Sequence, residues 1–403
     1  MTLLENNSKN LKPSFLILGA KEYPLGAGAG EDAYASGGME AYTQQLAPLL
    51  AARGARVLVV TRKFARQPAR ETRAGVEIYR VGWLKGFLLR NPSFNLNALR
   101  ETLFAPRGSF DVIIANGVIA TLAGIVTKWF RRFLGERVVV IARPAGIAWV
   151  QPQYNTFVKM LLFFLETIAY KLADAVVFLS KGEREQFGKK MGFLPKRVAL
   201  IPTGVDFAKF ERATSVKRAR MRVRKQLGLR GKTIVFVGRL IQVKGLEYLI
   251  QAMQRVRDAQ LAILGDGPLR ASLEKQAEKL GVKNKMVFVK NASVPELLNA
   301  CDVFVLPSLS EGLPNALLEA MAAKRACVVT DIGLPVRDGV DALVVPPKNS
   351  NALANALNKI LADARLRKRL GENALARVKK EFNWASAVNA YFKLAENLKK
   401  TKL

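Results

Sequence analysis

Two glutamates stand eight positions apart in the segment PSLSEGLPNALLEAMAAK, where a loop is predicted to run into a helix. Glu311 precedes this helix, and Glu319 lies about one and a half turns inside it. Carboxylates accept hydrogen bonds from the hydroxyl groups of a sugar or a ribose. The pair therefore favours recognition of a hydroxyl-rich ligand over two ordinary acids at a helix start, which is the alternative.

The start of the same helix predicts an anion site. Pro314 suits a first helical position, and the backbone N–H groups of Gly312, Leu313 and Asn315 are then free at the positive end of the helix dipole. Glu311 and Glu319 would repel a phosphate there unless neutral donors occupied them. The combination indicates a ligand that carries both phosphate and hydroxyl groups.

Two further segments of the second half follow buried strands. VGRLIQVKG places Arg239 and Lys244 where parallel sheets bind ligands, and these cations suit phosphate oxygens. LAILGDGP places Gly265 in a turn that allows the backbone close to a ligand. Each segment alone is a weak signal, because such turns are often plain surface.

The first half offers a counterpart in ASGGMEAYTQQL. Gly37 and Gly38 open a predicted helix, so its N-terminus is unobstructed by side chains. The nearby GAGAG does not have the G-x-G-x-x-G spacing of a dinucleotide-binding fingerprint, and it is interpreted as a loop.

Histidine is absent from the 403 residues, which restricts the possible chemistry. The chain can build no Ser-His-Asp triad, no Cys-His pair, no histidine-ligated zinc site and no imidazole base. Carboxylates, arginine, lysine, hydroxyls and backbone dipoles remain.

The net charge is +32, from 64 Lys and Arg against 32 Asp and Glu. Residues 301–350 are the exception, with 4 basic and 6 acidic side chains. The surplus favours anionic partners such as membrane lipid, nucleic acid or phosphorylated ligands. The locally acidic block is the one that holds the two glutamates.

The remaining composition indicates where the protein works. Cys301 and Cys327 lie in apolar runs and are predicted to be buried thiols, which fits a reducing compartment. The N-terminus has no signal-peptide pattern, and no apolar run reaches the roughly 18 residues of a membrane span. We expect a cytoplasmic protein, with a peripheral position on the inner face of the cytoplasmic membrane as an option.

Short runs rich in Val and Ile alternate with helical stretches in two sets along the chain. Runs without polar alternation are typical of strands buried on both faces of a parallel sheet. The pattern predicts an α/β fold of two doubly wound, Rossmann-like domains. We assign residues 1–205 to the first domain, residues 206–385 to the second, and residues 386–403 to a helix that packs back on the first.

At this point the chain resembles a known family. FVGRLIQVKGLEYLIQA, LAILGDGPLRASL, LPSLSEGLPNALLEAMAA and DGVDALVVPP together resemble retaining glycosyltransferases of the GT-B fold, glycosyltransferase family 4. GGMEAYTQQLAPLLAARGARVLVVT, ADAVVFLSKGE and IPTGVDFAKF match the same family more loosely. The resemblance covers roughly residues 14–385 and implies two domains that face a cleft.

The resemblance implies a role for each matching residue. Arg239 and Lys244 would hold the diphosphate of a nucleotide-sugar donor and stabilise the charge that grows on it. Glu311 would bind the transferred sugar, and Glu319 would bind the ribose. The donor-binding set is Arg239, Lys244, Gly265, Glu311, Gly312, Leu313, Pro314, Asn315 and Glu319.

The other implied roles are less specific. The catalytic set would be Arg239, Lys244 and Glu311, and the nucleobase would lie near Val289 to Asn291. The first domain would bind the acceptor, with Gly37, Gly38 and Ala145 near the acceptor and phosphate. The resemblance implies no cofactor and no essential metal.

The chain departs from the family where histidines are common. IARPAGIAW has Ala145 where members often carry histidine after the fifth strand, and Ala41 and Ala55 replace two more. Retaining transfer, in which the leaving phosphate accepts the acceptor's proton, tolerates this loss. An inverting enzyme would need a base, and none of the imidazole type exists.

The sequence indicates the class of the acceptor but not its identity. WLKGFLLRN, TKWFRRFLGER and VKMLLFFLETIAYK mix aromatic, aliphatic and basic residues, which suits an anionic membrane surface and a lipid-linked or polysaccharide acceptor. The alternative is that they are ordinary helices packed on the sheet. Rival functions are an anionic-surface or nucleic-acid binding protein on an inactive transferase scaffold, and another GT-B enzyme such as an epimerase or phosphorylase. The aromatic content of 8% disfavours nucleic acid.

Overall fold

The computed structural model describes residues 12–25, 38–64, 67–84, 89–144, 146–147, 149, 154–214, 217–289 and 292–401. The chain divides into two compact units. Unit 1 comprises Met1–Leu179, Arg184–Ile201 and Trp384–Leu403, and unit 2 comprises Ser180–Glu183 and Pro202–Asn383.

Unit 1 is built on one sheet in the order β3-β4-β2-β1-β5-β6-β7-β8 among the described residues. All neighbouring pairs are parallel except β3 with β4. The strands are β1 (Phe15–Leu18), β2 (Val57–Arg62), β3 (Arg70–Arg73), β4 (Val76–Val81), β5 (Val112–Asn116), β6 (Val139–Arg143), β7 (Ala175–Phe178) and β8 (Val198–Leu200).

Helices alternate with these strands. They are α1 (Gly38–Ala52), α2 (Arg90–Leu103), α3 (Val118–Phe133), α4 (Thr156–Leu172) and α5 (Lys181–Met191). Side chains such as Leu58, Val60, Ile113 and Val140 from the central strands form a buried core. Burial on both faces explains why these strands carry continuous apolar runs.

Unit 2 repeats the plan with a parallel sheet in the order β11-β10-β9-β12-β13-β14. Its strands are β9 (Lys232–Val237), β10 (Ala259–Leu264), β11 (Met286–Val289), β12 (Val303–Leu306), β13 (Ala326–Thr330) and β14 (Leu343–Val345). Its helices are α6 (Phe207–Thr214), α7 (Lys217–Gln226), α8 (Leu246–Ala252), α9 (Arg270–Lys279), α10 (Val294–Ala300), α11 (Asn315–Ala322), α12 (Ser350–Ala362) and α13 (Ala364–Glu381).

The last helix, α14 (Trp384–Lys400), is grouped with unit 1 although it follows all of unit 2 in sequence. The Phe392 ring meets Phe15 of β1 edge-on, with ring centroids 5.6 Å apart. The Tyr42 hydroxyl of α1 donates a hydrogen bond of 3.0 Å to the Tyr391 hydroxyl. These aromatic contacts, in which Phe15, Tyr42 and Tyr391 are buried, tie α14 to the first strand and the first helix.

The expectation of two doubly wound, parallel α/β units is confirmed. The sequence did not predict β3, a short polar strand at the antiparallel edge. Among the described residues, no helix combines the length and the apolar character that crossing a bilayer would require.

Candidate functional site

The carboxyl ends of β9, β10 and β12 are adjacent in the sheet of unit 2. Val237 pairs with Leu264, and Val235 pairs with Phe304, so the turns that follow these strands lie side by side. Arg239 lies in the turn after β9, Gly265 lies in the turn after β10, and β12 is followed by the loop that leads to α11. Ligands of open parallel sheets bind at this edge.

Gly265 packs directly on the turn after β9. Its φ is +151°, and a Cβ at this position would lie 1.9 Å from the carbonyl oxygen of Gly238. Only glycine fits a conformation and a contact of this kind. The close approach fixes the turn that presents Arg239 against the turn after β10.

Lys244 and Glu311, 67 residues apart in sequence, form an ion pair between Nζ and Oε1. The Ser308 hydroxyl donates a second hydrogen bond, of 2.9 Å, to the same carboxylate oxygen. Both charged side chains are mostly buried, at 16% and 13% exposed. The sequence predicted both residues in one site, and the structure brings them into direct contact.

Arg239 has an exposed side chain, with no ion-pair or hydrogen-bond partner among the described residues. A guanidinium without internal partners keeps its donors available for a phosphate. Lys244 differs, since its ammonium is held by Glu311. A bound phosphate would therefore share Lys244 with this carboxylate.

The loop from Glu311 to α11 presents backbone donors. Pro314 occupies the N-cap of α11, one residue before the first helical position that the sequence predicted for it, and provides no side-chain cap. In the described part of the chain, no acceptor meets the N–H groups of Gly312, Leu313 and Asn315. These N–H groups are therefore available as donors at the start of the helix, and the anion site there stays a prediction.

Glu319 lies in the middle of α11, half-buried. Burial raises the pKa of its carboxyl to about 7, and the charge of Lys209 opposes this rise. The carboxyl is therefore divided between its neutral and ionised forms near neutral pH. The ionised form is the one that accepts two hydroxyl donors.

The start of α5, with Ser180 just before it, contacts the loop before α11, and the sequence did not predict this contact. The Ser180 hydroxyl accepts a 3.0 Å bond from the Glu183 N–H, as at a helix N-cap. The same hydroxyl also donates a 3.2 Å bond to the carbonyl oxygen of Gly312. No local sequence signal could reveal this second contact, because the two residues are 132 positions apart.

Several of the predicted residues lie outside the described part of the chain. Gly37, Ala145 and the predicted base-binding position Asn291 lie outside it, and Val289 is buried at the end of β11. Gly38 begins α1, and a Cβ there would meet no atom within 4 Å.

The carboxyl edge of the unit 1 sheet also holds a cation that was not predicted. Arg143 ends β6, and its guanidinium lies 3.7 Å from the centroid of the Tyr42 ring. It donates a 3.2 Å hydrogen bond to Asn116 at the end of β5. Arg143 therefore keeps positive charge at the edge beside α1 in a chain that has no histidine.

Two protein families match consecutive parts of the chain. Residues 37–204 match the glycosyl transferase 4-like domain, and residues 217–377 match the glycosyl transferases group 1. The chain belongs to the GT-B glycosyltransferases of family 4. The order of the two matches follows the two units of the fold.

Similar proteins include transferases of several kinds. The glycosyltransferase is 33% identical over 220 residues to the alpha-D-kanosaminyltransferase of Streptomyces kanamyceticus, which covers 52% of this chain and 56% of that protein. It is 29% identical over 246 residues to the UDP-Gal:alpha-D-GlcNAc-diphosphoundecaprenol alpha-1,3-galactosyltransferase of Escherichia coli, covering 56% and 63%. The aligned regions thus span less than two thirds of these two relatives.

Solved structures share the fold over nearly the whole chain. Sucrose-phosphate synthase from Thermosynechococcus elongatus superposes with a TM-score of 0.76 at 24% identity, covering 96% of this chain and 99% of that one. Anabaena HepE in complex with UDP-glucose gives 0.75 at 20% identity, covering 96% and 100%. At these identities the likeness concerns the fold alone.

Proposed function

We propose that this glycosyltransferase transfers a sugar from a nucleotide-diphosphate sugar to a lipid-linked or polysaccharide acceptor, with retention of anomeric configuration. The observation that carries the proposal is the Lys244–Glu311 pair beside Arg239 and the free N–H groups of Gly312 and Leu313. Unit 2 would bind the donor, and unit 1 would bind the acceptor.

The donor's two chemical parts would meet complementary groups. Arg239, Lys244 and the N–H groups would neutralise the diphosphate, so that no metal is required for this purpose. Glu311 would accept hydroxyls of the transferred sugar, and ionised Glu319 would accept those of the ribose. In the crystal structure of HepE with UDP-glucose, a protein of the same fold holds such a donor.

Retention is supported by the hydrogen bonds that Glu311 already accepts. Glu311 already accepts hydrogen bonds from Lys244 and Ser308, so it is a poor proton acceptor. The leaving phosphate oxygen can take the acceptor's proton while the bond from that oxygen to the anomeric carbon breaks and the acceptor oxygen bonds to the same carbon. This route requires attack on the face that the phosphate leaves, which preserves the configuration.

The experiment is a thermal-shift screen of nucleotide-diphosphate sugars at pH 8, where the Glu319 carboxyl is ionised. A ligand at a hundred times its Kd stabilises the folded state by about 2.7 kcal/mol, so one donor is expected to raise Tm clearly. The anomeric coupling constant of the product then reports the stereochemistry. No shift with any donor would reject the proposal, and salt-sensitive RNA binding in its place would favour the nucleic-acid alternative.

The acceptor is proposed to be reached at the inner surface of the cytoplasmic membrane. The E. coli relative is named for an acceptor linked to diphosphoundecaprenol. In unit 1, α3 and α4 pack against each other and expose an apolar surface, which we call the outer stripe. It comprises Val126, Trp129, Phe133, Phe157, Met160, Leu161 and Phe164.

The outer stripe has the spacing of an amphipathic helix face on both helices. Phe133 is 86% exposed and Phe157 is 72% exposed, which is unusual for aromatic side chains. Arg132 is also exposed beside the stripe, whereas Arg131 is 1% exposed and donates to the carbonyls of α2 and the following loop. Apolar residues next to cations suit an anionic bilayer, and the charge of +32 adds long-range attraction.

Replacing Trp129, Phe133 and Phe157 together by serine is expected to weaken binding to anionic vesicles at least about tenfold, because three large side chains lose their apolar burial. Cosedimentation with phosphatidylglycerol vesicles at low salt measures this. Met221→Ser, at an exposed position of α7, is the control and should bind as the wild type does. Unchanged vesicle binding, or loss of a dimer in its place, would reject the membrane surface as the partner.

A further inference from the structure

The loop before α11, which we call the donor loop, is held by Ser180, a residue 132 positions earlier in the sequence. Ser180 follows β7 of unit 1, yet Ser180–Glu183 is grouped with unit 2. Its side chain is buried, and its hydroxyl acts both as an acceptor and as a donor of a hydrogen bond. It accepts from the Glu183 N–H at 3.0 Å and donates to the Gly312 carbonyl at 3.2 Å.

Holding the Gly312 carbonyl also fixes the direction of the next N–H group. The peptide between Gly312 and Leu313 is planar, and in a trans peptide the C=O and the N–H point in opposite directions. The Leu313 N–H is therefore directed away from Ser180. Among the described residues it meets no acceptor, so its donor is available to a ligand.

The turn that carries Ser180 has little room to move. A Cβ on Gly182 would lie 2.1 Å from the carbonyl oxygen of Gly333, a backbone atom of unit 2. The turn is thus packed on the loop after β13 as well as on the loop before α11. A hydroxyl anchored in this way can hold a peptide plane in one orientation.

We propose that Ser180 is a positioning residue for the donor diphosphate, acting through the Gly312–Leu313 peptide. It would keep the Leu313 N–H directed at a phosphate oxygen and would not itself touch the donor. The inference rests on the proposed function, because it requires that the loop before α11 binds a diphosphate.

The test compares Ser180→Ala with Ser293→Ala in the full chain. Ser293 is a matched control because its hydroxyl likewise accepts from an N3 N–H, that of Glu296, but its own bond goes to the Glu296 carboxylate. Both variants lose a helix N-cap, so both are expected to lower Tm by similar amounts. Only Ser180→Ala loses the bond to the donor loop.

Binding is measured by calorimetry with UDP, GDP, ADP and dTDP, each against its own nucleoside. Ser180→Ala is expected to weaken the diphosphate that binds the wild type by about three- to tenfold, the range of one hydrogen bond. Its nucleoside should bind with unchanged affinity, and Ser180→Thr, which keeps the hydroxyl, should recover most of the diphosphate affinity.

The contrary outcomes are distinct. Equal weakening of diphosphate and nucleoside, or the same loss in Ser293→Ala, would reduce Ser180 to a structural cap and overturn this inference alone. A wild-type protein that binds none of the four diphosphates would overturn the proposed function and this inference with it.

Discussion

Lys244→Met is expected to lower kcat by about a hundred- to a thousandfold, the usual loss when one preorganised electrostatic group is removed. Lys244 Nζ forms an ion pair with Glu311, and both side chains are mostly buried. In the proposed function, this pair lies beside the diphosphate that leaves the sugar. Removal of Lys244 would take away the charge that we propose to stabilise the leaving group. It also leaves the Glu311 carboxylate without its cation, which costs more in a buried place than on the surface.

Steady-state kinetics with the donor found in the screen measures this loss. Lys324→Met is the matched control, because Lys324 pairs with Glu372 at 3.0 Å on the surface of the same unit, where both side chains are 45% exposed. Such a pair contributes little, so less than about a twofold change is expected. A Lys244→Met protein that keeps a third of the wild-type kcat would contradict the assigned role.

Gly265→Ala is expected to destabilise the protein by at least about 3 kcal/mol, since the new side chain meets both backbone strain and a backbone atom. The φ of Gly265 is +151°, and its Cβ would lie 1.9 Å from the Gly238 carbonyl oxygen. For a unit of this size the loss corresponds to a fall in Tm of about 6–12 °C. Differential scanning calorimetry measures it directly.

Gly281→Ala separates the strain from the collision. Gly281 has a φ of +66°, and a Cβ there would meet nothing within 4 Å. Only the cost of the left-handed conformation remains, about 1 kcal/mol. If both variants unfold at the same temperature, the contact between the turns after β9 and β10 is looser than the structure has it.

Most of the fold could be predicted because the strands are buried on both faces. Uninterrupted Val and Ile runs such as β5 and β9 have no other common interpretation when helices alternate with them. β3 was missed because its residues, RETR, are polar and its single partner is β4 at the sheet edge. Edge pairing leaves no apolar pattern in the sequence.

The sequence pointed to the candidate site residues but not to the contacts between them. Arg239, Lys244, Glu311 and Glu319 were recognised by type and by local context, and each follows or lies in the element expected. That Lys244 would pair with Glu311, or that Ser180 would reach Gly312, depends on register between distant segments. A single sequence gives no information on which distant segments lie next to each other.

The sequence also did not show which side chains of the basic and aromatic segments face solvent. TKWFRRFLGER was interpreted as one basic and aromatic surface, but Lys128 turns inward to Asp174 at 2.6 Å and Arg131 to Glu136 at 3.0 Å. The helical period decides which cations face water, and a run of charges conceals it. The residues of this segment that remain exposed are Trp129, Arg132, Phe133, Gly135 and Arg137.

The placement of α14 sets an order of events on the ribosome. Unit 2 is complete once Asn383 has emerged, whereas unit 1 needs the contacts that Tyr391 and Phe392 make with the first helix and strand. Domains normally fold during synthesis in the order in which they emerge. Here the half that is translated first cannot complete its packing before α14 has emerged. The nascent unit 1 therefore exposes the faces of Phe15 and Tyr42 that α14 later covers.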